Sequence, residues 1–295
     1  MKRIVLLLLI ALLVLTGCVS SQEPAQIAAT TLPVYEFTVR LCEGTGITVT
    51  RLITESVSCL HDYSLNVTQV RAAEAAELVV ISGAGLEEFM EDILPEESVL
   101  DSSTSIELIE GGHSHEHDHD DHNDHGHHHH DTDSHIWLSP ENAKQMAKNI
   151  CAGLCTHYPD HASIFEANLQ VLLADMDTLL TYGQNELSTL SCRELITFHD
   201  GFSYLAESFG LTILEAVEEE SGSEASAAEL KHLIEEVRHH DLPAIFTETN
   251  GSDSAANVIA RETGIKIYPL DMARAGDSWF DAMYHNIDTL KEALG

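Results

Sequence analysis

The sequence predicts an α/β fold with two lobes of about four strand–helix units each, parallel-rich sheets, and one long rigid helix that joins the lobes. Three observations lead to this prediction. Short β-branched runs alternate with helical patterns in the first third of the chain, and the same alternation returns after residue 193. Between these regions, residues 160–187 carry apolar side chains at helical spacing with few breakers. They predict one helix of roughly 25 residues, or ~38 Å, which we interpret as a strut between two lobes.

The first lobe is predicted for residues 26–159. Strand patterns occupy 26–31, 47–53, 77–83 and 98–103, and helical patterns occupy 32–44, 66–76 and 85–94. A further helix is expected to begin at Pro140, because proline fits the first helical position and Ser139 is a suitable N-cap. Strands that alternate with helices in this way predict a largely parallel sheet.

The second lobe is predicted for residues 188–295 and repeats the same alternation. Strands are expected at 194–199, 211–217, 243–249 and 265–270. Helices are expected at 201–210, 226–241, 254–264 and 278–294. The two lobes should therefore have similar architectures.

The N-terminus, "MKRIVLLLLIALLVLTGC", has a basic start and a short apolar run. That run is about 12 residues long, against the ~20 of a membrane-spanning helix, although an anchor helix is the alternative. The ending "LTGC" resembles a bacterial lipobox. We expect a signal peptide at 1–17, lipidation of Cys18, a tether at 18–25, and an extracytoplasmic protein anchored to the bacterial cell membrane.

The charge balance restricts the class of partner. Asp and Glu number 49 against 14 Lys and Arg, a formal charge of −35. This excludes nucleic acid as an expected partner, because phosphate binding needs clustered basic residues, and it favours cations. No CxxC pair occurs, so a cysteine-based zinc knuckle is not expected, and the pairing of Cys42, Cys59, Cys151, Cys155 and Cys192 stays open.

Residues 111–131, "GGHSHEHDHDDHNDHGHHHHD", contain ten histidines and six acids without one Lys or Arg. The run lacks apolar periodicity, so a disordered surface loop is expected. We interpret it as an accessory low-affinity metal collector; a solvated insertion without a transport role is the alternative. The expected accessory ligands are His113, His115, His117, His119, His122, His125, His127, His128, His129 and His130.

Four other candidate ligands fall at matching places in the predicted fold. His61 lies in the loop after strand 47–53, His135 precedes the helix that begins at Pro140, His199 ends strand 194–199, and Asp271 follows strand 265–270. Ligands in open parallel sheets bind outside the carboxyl ends of the strands, so all four could converge in a cleft between the lobes. Three imidazoles and one carboxylate suit Zn²⁺. Taken singly, each histidine is better explained as a surface or cap residue, and Asp271 as a cap.

Several stretches resemble the solute-binding lipoproteins of bacterial zinc and manganese ABC importers, and the zinc-binding (ZnuA/AdcA-like) members in particular. They are "LHDYSLNVTQVRAAEAAELVVISGAGLEEFM", "DSHIWLSPENAKQMAKNI", "TFHDGFSYLAESFGL" and "IFTETNGSDSAANVIARETGIKIYPLD". The resemblance spans nearly the whole mature chain. It implies two lobes bridged by a rigid helix, metal held between them, a permease and its ATPase as partners, a monomer, and no enzymatic activity. Family ligands map onto His61, His135, His199 and Asp271.

The third ligand position bears on the choice of metal. Zinc members of this family place histidine there and manganese members usually place glutamate, so His199 indicates Zn²⁺ as the bound ion. The chain departs from the family by having Leu60 and Ser134, where proline usually precedes each histidine. Cys59 could be a soft ligand, although a structural or disulfide role fits it better.

Rival functions remain open from the sequence alone. A manganese or other divalent-metal receptor, or an adhesin, could share this fold, and a metal buffer without a transporter would have the same sequence features. A zinc hydrolase fits less well, because a fourth protein ligand would close the site to a catalytic water.

Overall fold

In the computed structural model, residues 25–55, 60, 63–90, 93, 96–110, 132–217 and 225–295 are described. The predicted signal peptide, Cys18, Cys59, His61 and the histidine-rich run at 111–131 lie outside these ranges. Within them, no helix is both long enough and apolar enough to span a bilayer.

The first sheet contains four parallel strands, and their order is β2-β1-β3-β4. The strands are β1 (Ile27–Ala29), β2 (Val49–Arg51), β3 (Leu78–Ile81) and β4 (Val99–Asp101). The helices of this part are α1 (Leu32–Cys42), α2 (Val67–Ala75) and α3 (Pro140–His157). Ser139 caps α3 as expected, since its side chain accepts the N–H of Asn142.

The second sheet repeats this topology with the order β6-β5-β7-β8, again parallel throughout. Its strands are β5 (Glu194–Thr197), β6 (Thr212–Ala216), β7 (Ala244–Glu248) and β8 (Lys266–Leu270). Its helices are α5 (Ser203–Ser208), α6 (Ala227–His239), α7 (Ser254–Thr263) and α8 (Trp279–Leu294). Two sheets of four parallel strands with helices confirm the predicted fold class.

The long helix, α4 (Ala162–Glu186), has 25 residues, or ~38 Å at 1.5 Å per residue. Phe165, Leu172, Met176 and Leu179 recur on one face and are buried. This face packs on α1 and α3 beside the first sheet and on α8 beside the second. The helix thus contacts elements that belong to both sheets.

The segment between β8 and α8 also contacts both parts. The carbonyl of Arg274 accepts the N–H of Leu32 at 3.1 Å, and the carbonyl of Gly276 accepts a guanidinium N–H of Arg51 at 2.8 Å. The indole N–H of Trp137 donates to the carbonyl of Met272 at 2.7 Å. These bonds fix the loop at 271–278 against the side of the molecule that carries the first sheet.

The α-helix predicted at 85–94 is wrong for the described residues of that stretch, which form a short 3-10 turn at Glu88–Met90. The reason lies in Glu87, whose buried carboxylate accepts the backbone N–H groups of Ser82 and Gly83 and the hydroxyl of Thr30. Positive φ angles from Gly83 to Gly85 turn the chain sharply here. Glutamate favours helices in a sequence pattern, but the side chain of Glu87 stabilises the end of β3 instead.

Candidate metal centre

His135 and His199 come together between the two sheets. His135 directly precedes the 3-10 turn at Ile136–Leu138, and His199 lies two residues beyond β5. Their exposed fractions are 4% and 6%. Their Nε2 atoms are 3.5 Å apart, and the ring planes are nearly perpendicular at 84°. The structure therefore brings together two of the four predicted ligands, although they are 64 residues apart in the chain.

The opposite nitrogen of each ring faces a carboxylate. Nδ1 of His135 lies 2.8 Å from Oδ1 of Asp133, which also accepts the backbone N–H of His135 at 2.9 Å. Nδ1 of His199 lies 3.7 Å from Oε2 of Glu248. A carboxylate only accepts hydrogen bonds, so Asp133 favours the tautomer of His135 with the proton on Nδ1. The Nε2 atom of His135 is then an acceptor, and it lies toward Nε2 of His199.

The separation of the Nε2 atoms fits a shared metal ion. Two nitrogens bound at 2.0–2.1 Å to a tetrahedral zinc ion lie ~3.3–3.4 Å apart, close to the 3.5 Å between His135 and His199. The spacing of the two rings would therefore allow both Nε2 atoms to bind one ion.

Glycine at position 201 permits this close approach. A Cβ atom built there would lie 2.8 Å from Nδ1 of His135, 2.8 Å from Cδ2 of His199 and 2.7 Å from Cε of Met272. These distances are too short for any larger residue without displacing a ring. The turn that leads from β5 to α5 therefore packs directly on both imidazoles.

Asp271 follows β8 as predicted and is held by its neighbours. Its backbone N–H donates to Asn286 and its carbonyl accepts from Asn286, both at 2.7 Å, while its Oδ1 accepts the N–H of Ala273 at 2.7 Å. It lines a cavity of about 160 Å³ together with Glu248, Met272 and Arg274. The described ranges contain no group of three His, Cys, Asp or Glu side chains that could hold a metal. Because His61 lies outside them, the roles of His61 and Asp271 stay predictions.

Sequence reasoning missed three residues around the histidines: Asp133, Glu248 and Arg274. Glu248 ends β7, and Oε1 of its side chain binds Nη2 of Arg274 at 2.6 Å. All three side chains are buried, with exposed fractions of 6–8%. The rule that placed His199, a polar side chain at a carboxyl strand end, would also have selected Glu248. Asp133 stands within the quoted stretch "DSHIWL", two residues before His135.

The electrostatics of this shell suit a cation. Two buried carboxylates, on Asp133 and Glu248, oppose the single guanidinium of Arg274, and the carboxylate of Asp271 lies at the cavity nearby. The buried carboxylates outnumber the buried guanidinium, and a bound cation would compensate them.

Comparison with known proteins agrees with this geometry. The profile of the family described as ZnuA, "Zinc-uptake complex component A periplasmic", matches residues 27–293. The high-affinity zinc uptake system protein ZnuA of Bacillus subtilis is 31% identical over 93% of this chain and 89% of its own length. The zinc-binding lipoprotein AdcA of Streptococcus pneumoniae is 31% identical over 99% of this chain, which spans 61% of AdcA.

A crystal structure of ZnuA superposes with a TM-score of 0.77 at 27% identity and covers 92% of this chain and 100% of that one. The family profile, which matches residues 27–293, extends over both sheets and α4. It confirms the resemblance found in the sequence and, with it, the expected role as a metal receptor. The chain belongs to the ZnuA family of periplasmic zinc-uptake components.

Proposed function

We propose that this chain captures Zn²⁺ between its two lobes and delivers it to the permease of an ABC importer. The observation that carries the proposal is the pair of Nε2 atoms, 3.5 Å apart, on imidazoles whose Nδ1 atoms face carboxylates. The proposed ligands are His61, His135, His199 and Asp271. Zn²⁺ is the cargo, and no bond of a substrate is made or broken.

Zinc is the proposed ion because imidazole nitrogen dominates the ligand set. Mn²⁺ prefers carboxylate and water oxygens, whereas Zn²⁺ accepts nitrogen and a tetrahedral geometry. A manganese or other divalent-metal receptor, or an adhesin of the same fold, is the alternative function. A binding experiment with both metals separates these alternatives.

We propose a binding protein without catalytic activity. Four protein ligands would fill a tetrahedral site, whereas a catalytic zinc keeps one position for water. The family to which the chain belongs consists of transport components, which agrees with this assignment. Hydrolysis of a substrate by the bound zinc would require that one of the four proposed ligands leave the metal.

Isothermal titration of the soluble chain, residues 19–295, with Zn²⁺ tests the proposal. We expect one tight site, and a loss of more than about tenfold in affinity for His199→Ala, because an inner ligand is removed. His232→Ala is the matched control, since His232 is half-exposed on α6 beside Glu215. An unchanged dissociation constant for His199→Ala would show that the assignment is wrong.

Two further variants test the ligands that geometry leaves open. His61→Ala and Asp271→Asn should each weaken Zn²⁺ binding if the four-residue set is correct. If Asp271→Asn binds zinc as the wild type does, a water molecule takes the fourth position. If His61→Ala binds normally, His61 is not a ligand, and the set contains no histidine of the four-residue proposal other than His135 and His199.

We propose that the histidine-rich run at 111–131 is an accessory collector that binds several ions weakly. A deletion of residues 113–130 should retain the tight site and lose only the weaker binding. Imidazole binds metal when neutral, and its ordinary pKa is about 6.5, so binding by the run should fade below about pH 6. Loss of the tight site with the deletion would instead place that site in the run itself.

We further propose that Cys18 is lipidated after removal of residues 1–17, and that the anchored monomer docks on a permease with its associated ATPase. In this scheme residues 26–159 and 188–295 form the two lobes, with 160–187 as the linking helix. Cys18→Ala should release the protein from the membrane fraction. Mass spectrometry of the wild-type N-terminus should show the lipid.

A further inference from the structure

Glu248 and Arg274 form a buried ion pair beside His199. We propose that Arg274 determines metal specificity: it holds Glu248 beside His199 and keeps this carboxylate out of the coordination sphere of the metal. The inference rests on the proposed metal site at His135 and His199. Glu248 is a positioning residue in this scheme, and Arg274 acts through it.

The two oxygens of Glu248 serve two different partners. Oε1 binds Nη2 of Arg274 at 2.6 Å, and Oε2 lies 3.7 Å from Nδ1 of His199. The carboxylate therefore lies near Nδ1 of His199, and it lines the same cavity as Asp271, one of the proposed ligands. In this scheme it orients the ring and increases the basicity of Nε2 as a ligand, as carboxylates next to metal-bound histidines do.

The backbone explains why Glu248 reaches His199. β5 and β7 are neighbours in the second sheet, and the N–H of Phe198 donates to the carbonyl of Phe246 at 2.8 Å. In the strand order β6-β5-β7-β8, the strands that follow β5 lie on opposite sides of it, so the order of the sheet reverses between β5 and β7. Ligands of open parallel sheets bind at such a point. Two ionisable side chains from adjacent strand ends thus meet at one point.

Arg274 is anchored independently of Glu248. Its carbonyl accepts the N–H of Leu32, at the start of α1, and its guanidinium is 6% exposed. If Glu248 moved to the metal, a buried guanidinium would lose its carboxylate, which is strongly unfavourable. The charge-assisted bond to Arg274 therefore keeps a potential oxygen ligand away from the ion.

The consequence concerns the choice between zinc and manganese. A glutamate free to rotate next to His199 would add oxygen to the ligand set and raise the coordination number. Those changes favour Mn²⁺, while the nitrogen-rich, four-coordinate set favours Zn²⁺. Arg274 thus contributes to specificity without touching the metal.

The experiment compares the dissociation constants of Zn²⁺ and Mn²⁺ in the soluble chain, residues 19–295. In Arg274→Met, the preference for zinc over manganese should fall by at least about tenfold, because Glu248 becomes available to the metal. Arg274→Lys should restore most of the preference. In Arg274→Met combined with Glu248→Gln, the gain in manganese binding should disappear.

Cobalt(II) gives a spectroscopic reading of the same effect. Tetrahedral cobalt absorbs strongly in the visible, and the absorption weakens when the coordination number rises. We expect strong bands in the wild type and in Arg274→Lys, and weak bands in Arg274→Met. Circular dichroism and thermal melting show whether each variant is folded.

Equal losses of zinc and manganese affinity in Arg274→Met would overturn the inference, since a purely structural role predicts that result. Persistence of the manganese gain in the double variant would also overturn it. If Arg274→Met does not fold, Glu248→Gln provides the test. This variant should lower the affinity for Zn²⁺ about 10–100-fold without raising the affinity for Mn²⁺. Failure of the proposed metal site can be distinguished from failure of this inference, because in the first case His199→Ala would bind zinc as the wild type does.

Discussion

The hydroxyl of Tyr204 donates a hydrogen bond to the carbonyl of Asp133 at 2.9 Å and accepts the backbone N–H of Ile109 at 3.0 Å. Ile109 and Asp133 flank the histidine-rich run, and the N–H of Asp133 also donates to the carbonyl of Ile109. Burial raises the pKa of Tyr204 to about 12, so the phenol stays protonated and remains a donor. One side chain of α5 thus binds Ile109 and Asp133, the second of which contacts His135.

Tyr204→Phe should lower the free energy of unfolding by about 1–3 kcal/mol, because the half-buried N–H of Ile109 and the buried carbonyl of Asp133 each lose a partner. Urea denaturation measures this loss. Tyr182→Phe is the control, since its hydroxyl binds Asp288 at the surface, and a change below about 1 kcal/mol is expected. Equal effects of the two variants would contradict a structural role for the Tyr204 hydroxyl.

Asp133→Asn should reduce zinc affinity by about 10–100-fold, because the amide no longer holds His135 by a charge-assisted bond. Titration calorimetry measures the change. Ser134→Ala is the neighbouring control: in the described part of the chain, its buried hydroxyl has no hydrogen-bond partner, so removing it should leave affinity and stability unchanged. Normal zinc binding by Asp133→Asn would show that His135 does not need this carboxylate.

Gly201→Ala should separate His135 from His199, because the new methyl group meets both rings at 2.8 Å. We expect a loss in zinc affinity of more than about tenfold and a cost in stability of about 1–3 kcal/mol from overpacking. Calorimetry and thermal melting separate the two effects. Wild-type affinity in a folded Gly201→Ala protein would mean that the 3.5 Å spacing of the rings is not required.

Glu87 should make stability depend on pH. Burial raises the pKa of its carboxyl from 4.5 to about 7, although hydrogen bonds from Thr30, Ser82 and Gly83 oppose the shift. A carboxyl with a raised pKa binds its proton more tightly in the folded state, so its stabilising contribution is lost as the pH rises from about 4.5 to about 7. The contribution is about 3 kcal/mol at most.

Glu87→Gln removes this titration. The free energies of unfolding of the wild type and the variant are measured in urea without metal. Between about pH 4.5 and about pH 8, the free energy of unfolding of the variant should increase relative to that of the wild type as the pH rises. Parallel pH profiles would contradict a raised pKa for Glu87.

Much of the fold could be predicted from the sequence. The eight strands of the described residues all lie within their predicted ranges, because buried parallel strands appear as short β-branched runs between turn residues. The helix predicted at 85–94 failed because a local pattern does not reveal that Glu87 turns inward to bind backbone N–H groups. A tertiary contact there decides the local structure.

The site could be predicted only in part. His135 and His199 follow from their places near predicted strand and helix ends. Whether Asp133 or Glu248 binds metal or orients an imidazole depends on distances of 2.8 and 3.7 Å across different elements. No spacing along the chain determines such distances, and the ion pair with Arg274 joins residues 26 positions apart.

The loop at 271–278 has a consequence for how quickly the cargo can leave. It follows β8 of the second sheet, yet Leu32 and Arg51 from the other side of the molecule bind its backbone. Swinging the two halves apart as rigid bodies would break these bonds together with the indole contact to Met272. Small displacements of the short turns that carry His135 and His199 leave them intact. A transporter should therefore set the rate of unloading by deforming those turns, and the receptor should keep nearly the same outline in its full and empty states.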